Sequence, residues 1–166
     1  MDHTADAHPW LVALEQSGLG AAMRQSLLLY PAVEILHIFG FVVLAGSILG
    51  FDLRVLGIGR HLPLAPFARL VVPLSALGFA IAVPCGFLLF VTEATSIAAN
   101  PAFQAKLACI AIGLINIALF HLGPWRSMAA WGAPGGLVPP AAKLGAVVSL
   151  LAWSGAIIGG RLIAYL

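Results

Sequence analysis

Glu34 and His37 stand three residues apart, one helical turn, within an apolar run covering residues 27–49. An ionisable side chain at membrane depth costs about 2.5–3.5 kcal/mol on insertion scales, so a retained one is expected to face other helices and to have a task. An imidazole on an inward face, with Gly40 beside it leaving room for a planar group, suits the axial position of haem iron. A rise of about 1.5 Å per residue puts Glu34 roughly 6 Å and His37 roughly 10 Å below the membrane boundary. Lys106, Arg161 and Glu93 reach the same level from the other apolar runs. Glu34, Lys106 and Arg161 are expected to be neutralised together with Glu93, which leaves His37 free to coordinate a guest. Lys106 and Arg161 then either meet anionic groups such as haem propionates or snorkel to the headgroups.

His121 belongs to another layer, about 18 Å from His37 along the membrane normal. Its expected neighbours are His61, Asp52, Arg54 and Arg126, which makes His61 and His121 the candidates for a second metal or haem site. The bland alternatives are a His37 hydrogen-bonded to Glu34 or a carbonyl, an interfacial His121 beside Trp125, and solvated His3, His8 and His61. Cys85 and Cys109 fall at the level of His37, where thiolates could join it around a soft metal. Met1, Met23 and Met128 all lie outside the apolar runs, so the cysteines are expected to be small buried apolar side chains. Lys143, Ser154 and Arg161 are spaced by near-whole helical turns and are expected to form an inward stripe. Asn116, central in its run, is expected to hydrogen-bond across helices.

The elements that must position these groups follow from hydropathy. Of the 166 residues 61% are hydrophobic and 8% charged, and the mean hydropathy is +1.05. That leaves too little polar surface to cover a soluble globule. Four continuous apolar runs, 27–49, 67–92, 102–125 and 141–165, satisfy the roughly 20 residues needed to cross a bilayer. Their continuity, without alternation, selects helices over barrel strands. The fold class is therefore all-α: one integral membrane domain, residues 1–166, built as a four-helix bundle. Residues 8–26 mix Trp10, Leu11 and Leu14 with Glu15, Gln16 and Arg24, which predicts a short interfacial helix. Asp52 to His61 reads as a polar connector, and Pro73 and Pro84 as kinks in the second span. Gly46 with Gly50 and Gly155 with Gly159 form small-xxx-small pairs that allow close backbone approach.

The eight basic residues are scattered singly, which argues against nucleic acid as a partner. Arg54, Arg60, Arg69, Arg126 and Lys143 flank one side of the bundle and Arg24, Lys106 and Arg161 the other, so both termini are expected outside the cytoplasm. The amino terminus has no basic segment or early apolar core, so the first span is expected to serve as its own insertion signal.

The run from Tyr30 to Gly40, followed by Gly46-Ser47, Asp52-Leu53-Arg54, Lys106-Leu107 and Gly160-Arg161, resembles an uncharacterised bacterial family of four-helix membrane proteins. More distantly, Leu36-His37-Ile38 with Gly40 and Ala105-Lys106-Leu107 are similar to the four-helix membrane protoporphyrinogen oxidases. That resemblance implies haem b and functional roles for His37 and Lys106. A looser similarity, the His-x-x-Gly start of a helix, links the chain to the membrane domain of copper-resistance protein D. The expectation is an inner-membrane b-type cytochrome exchanging electrons with a quinol or a periplasmic redox partner. The rivals are an oxidase of porphyrinogens, a copper-handling protein, and a cofactor-free subunit of a larger complex or homo-oligomer.

Overall fold

In lipid every backbone N–H and C=O must be satisfied within the protein, which for continuous apolar runs means helices. A computed structural model describes residues 8–133 and 135–166, and His3 and Met1 lie outside them. Two short helices, α1 (Pro9–Glu15) and α2 (Gly18–Gln25), precede the long α3 (Leu29–Leu56) and α4 (Leu64–Thr92). A short α5 (Ala94–Ala99) leads into α6 (Pro101–Leu122), and α7 (Met128–Trp131) precedes α8 (Pro140–Leu162). The helices α3, α4, α6 and α8 are long and apolar enough to cross a membrane. The chain is a multi-pass membrane protein.

Two helix pairs make the bundle, α3 on α4 and α6 on α8, joined mainly where α3 meets α8. The first pair follows a heptad-like spacing, with Val33, Gly40 and Leu44 facing Val71, Gly78, Ala82 and Cys85. The second uses a stripe of small residues on α8: Ala142, Ala146, Ser149, Ala152, Ala156 and Gly159. Without a hydrophobic force between helices in lipid, such close packing is what holds a pair together. Between α4 and α6 the backbones make no extensive contact, which leaves a cleft between the two pairs, bridged by the stacked rings of Phe90 and Phe103.

Three expectations about the elements need correction. The first span continues through residue 56 and carries Asp52 and Arg54 inside α3, both buried. Arg54 spends its donors on carbonyls, with Nε 2.7 Å from Leu62 O and Nη2 3.3 Å from Arg60 O. Gly57, at φ +110°, ends α3 in the left-handed region that only glycine adopts without strain. The stripe of Lys143, Ser154 and Arg161 is exposed, because α8 turns its alanines inward and Ser149 is the serine that goes with them. Gly46 touches nothing across a helix interface; the close approach lies at Gly40 and Gly78. The helix α4 remains continuous through Pro73 and Pro84.

The amino-terminal segment is helical as expected, as α1 and α2, and docks on the α4–α5 corner. Glu15 Oε2 accepts from Thr95 N (3.0 Å) and Thr95 Oγ1 (2.8 Å), and Arg24 Nη1 donates to Thr92 O (2.8 Å). Asn100 caps α6, accepting from Ala102 N (2.9 Å) and Phe103 N (3.3 Å), and its Nδ2 donates to Ile163 O (3.2 Å) at the end of α8. Asn100→Ala removes a helix cap and an interhelical tie together. It is expected to lower stability by about 1–2 kcal/mol, read as a lower midpoint in a thermal melt of the detergent-solubilised protein.

Candidate functional site

His37 projects from α3 onto α4, where its Nδ1 lies 2.8 Å from Ala82 O. A carbonyl only accepts, so Nδ1 carries the hydrogen, and in the neutral form of the ring Nε2 is the unprotonated nitrogen. The ring rests over Gly86, where a Cβ would come within 2.9 Å of Cε1. Glycine at 86 is therefore a condition of the ring's position. One turn below, Gly40 is buried, and a Cβ there would meet Ala82 N and Gly78 O, both at 2.9 Å. The space beside His37 that Gly40 was expected to open is filled by the backbone of α4. What remains accessible is the outer part of the half-buried ring.

Among the described residues, Glu34, Glu93, Lys106 and Arg161 form no mutual ion pair. The Lys106 stem lies over Gly159 and Gly160, with Nζ 3.5 Å from where a Cβ on Gly160 would stand. Arg161 turns to the carboxy-terminal turn, where Nη2 donates to Tyr165 Oη (2.9 Å) and the guanidinium stands 5.3 Å from that ring's centre. Glu34, Glu93 and Arg161 are exposed. Cys109 packs on Gly155 and Cys85 is buried, as expected of small apolar side chains. Met23, which sequence order put outside the bundle, is 1% exposed and packs on Val33 and Cys85. Among the described residues no three His, Cys, Asp or Glu side chains converge as a metal would require.

No family model, curated protein or solved structure matches this chain. What stands of the expected kinship is the four-helix membrane architecture.

Of the neighbours expected for His121, namely His61, Asp52, Arg54 and Arg126, Asp52 alone lines a cavity with it. His121 is exposed, bonds its Nδ1 to Ile117 O (2.8 Å) and stacks on Trp125 at 4.8 Å. His61 is also exposed, in the turn between α3 and α4. The residue that joins His121 is Asp52. Both line a cavity of about 360 Å³ in the cleft between the helix pairs. Phe51, Phe120 and Trp125 cluster at one end, with ring centres 5.6–6.5 Å apart. The Gly- and Pro-rich connector closes that end of the bundle: Trp131 is buried, its Nε1 donates to Pro124 O (2.9 Å), and Gly132 O accepts from Leu64 N (3.3 Å). Asn116 makes its expected interhelical bond, Nδ2 to Gly145 O at 3.0 Å. The cavity does not include His37. From His37 to Asp52 the rise of a helix is about 22 Å, so these are two sites.

Proposed function

We propose that this protein is a b-type haem protein of the bacterial inner membrane that carries electrons near the periplasmic face, with His37 as an axial ligand and both termini periplasmic. The observation that supports this reading is an imidazole kept at membrane depth, with Nδ1 fixed 2.8 Å from Ala82 O, a bond that the packing-only alternative makes as well. Ligating histidines characteristically donate their second nitrogen to a carbonyl or carboxylate, which fixes the tautomer and the ring. The donor set offered to haem is the His37 imidazole with Nδ1 held by Ala82 O, and Lys106 of α6 and Arg161 of α8 would be the partners of its propionates. The interior side of the ring is closed by α4, so the group is received on the ring's accessible edge. When bound, haem would supply one-electron redox chemistry, and the residues named here would orient it and offset its charge.

The test is the visible spectrum of the protein purified in detergent from haem-sufficient cells. A Soret band that disappears in His37→Ala and persists in His121→Ala supports the reading, and a colourless wild-type preparation overturns it. Porphyrinogen oxidation draws on the same His37 and Lys106 and is separated by rescue of a strain lacking its own oxidase. Copper handling is favoured by one observation, the seating of Met23 on Cys85 next to the Gly86 that carries His37. Soft sulfur donors of that kind suit Cu(I). Copper retained by the purified protein and lost in Met23→Leu would select that reading.

A further inference from the structure

Two buried polar atoms on residues that line the Asp52 cavity have no partner. Asp52 and Trp153 are each 4% exposed, and neither Asp52 Oδ2 nor Trp153 Nε1 makes a hydrogen bond. Both residues line the same cavity, one from α3 and one from α8. A buried polar atom without a partner costs about 1–3 kcal/mol, so two in one cavity call for a guest that supplies a donor and an acceptor. The rest of the lining restricts its chemistry. Phe79, Leu114 and Phe120 make the walls apolar and aromatic, and no Lys or Arg contributes, so the guest is neutral and flat. Ser75 and Ala76 of α4 stand across the cleft from Leu114 of α6, where the two backbones do not meet and where Ala76 and Leu114 are exposed. Entry is therefore from the lipid. At about 360 Å³ the cavity is within the range of small-molecule sites, about 300–1,000 Å³.

We propose that this cavity binds the ring of a lipid-soluble quinol, with a ring hydroxyl donating to Asp52 Oδ2 and a ring oxygen accepting from Trp153 Nε1. Ser149, buried on α8, lines the same cavity. The site is independent of the haem reading, since it shares no residue with the His37 layer.

The experiment uses the full chain in lipid nanodiscs without added haem, titrated with a decyl-substituted benzoquinol and separately with its quinone. Binding is read by equilibrium partition between loaded and empty nanodiscs. Saturable uptake of one quinol per chain is expected. Asp52→Asn is expected to weaken quinol binding about tenfold and quinone binding less, because only the quinol donates to the carboxyl. Ser75→Phe, or Ala76→Phe from the cleft side, is expected to abolish both. Asp52→Leu is expected to raise the melting midpoint of the empty protein by about 2–4 °C, because it removes an unsatisfied buried oxygen. No saturable uptake by the wild type, equal affinity in the filled variants, or an unchanged or lower midpoint in Asp52→Leu would each overturn the proposal. A visible haem spectrum, present or absent, bears on His37 alone.

Discussion

Gly78→Val should dissociate α4 from α3 and leave a protein that no longer elutes as a single folded species, whereas Gly46→Ala in the neighbouring turns should be harmless. A Cβ at Gly78 would stand 2.5 Å from both Gly40 O and Leu44 N and 3.0 Å from Leu44 Cα. All three are backbone atoms, so no rotamer change relieves the contact; the helices themselves must separate. Overpacking a core commonly costs about 1–3 kcal/mol and occasionally more. The upper end applies here, because α3 against α4 is the most extensive helix pair and lipid supplies no hydrophobic drive to restore it. A Cβ at Gly46 meets nothing within 4 Å. There alanine gains helix propensity, worth up to about 1 kcal/mol, and nothing opposes it. Size-exclusion profiles and thermal melts of the two variants in one detergent give the comparison; a Gly78→Val protein as stable as the wild type would mean that the crossing is not where the backbones are seen to meet.

That crossing shows where sequence spacing stops being informative. Gly46 and Gly50 have the spacing that permits close approach, but a small-xxx-small pair reports only that a helix could be approached, not by which partner. Gly155 and Gly159 do serve that purpose, against Cys109 and against Ala102 and Lys106. The four spans were legible because apolar continuity over some 20 residues is a one-dimensional property. Asp52 was not. An acidic residue and an arginine directly after an apolar run look like an exit from the membrane, and only the packed structure shows α3 continuing to Leu56 with Arg54 bonded to two carbonyls. Nothing local distinguishes an Asp52 that ends a span from one that lines a cavity. Nothing in the sequence marks Trp153 either, since a missing partner for an indole N–H is a property of the assembled helices. Met23 shows the same limit: it is distant in sequence from every span centre, and the fold of α2 brings it onto Cys85. The Glu34, His37 and Lys106 layer was proposed from sequence because helical rise converts position along a span into depth.

Gly86→Ala tests the His37 reading more sharply than removal of the histidine does. His37→Ala deletes the proposed ligand, and the Soret absorbance per protein should fall at least about tenfold. A fold that depended on the histidine for packing could give the same loss. In Gly86→Ala the imidazole stays, but the new Cβ would come within 2.9 Å of Cε1 and 3.2 Å of Nδ1. The ring is the end of a side chain and can swing away, at the expense of its 2.8 Å bond to Ala82 O. A ligand whose orienting partner is lost typically binds its metal 10–100-fold more weakly. The expected result is a folded Gly86→Ala protein with reduced haem occupancy, recovered in part by excess haem, and with a shifted reduced α band in the fraction that loads. His121→Ala, in the other layer, should leave spectrum and occupancy unchanged. Full occupancy with an unaltered spectrum in Gly86→Ala would show that the orientation fixed by Ala82 has no part in holding iron, and the proposed role of His37 would fail with it.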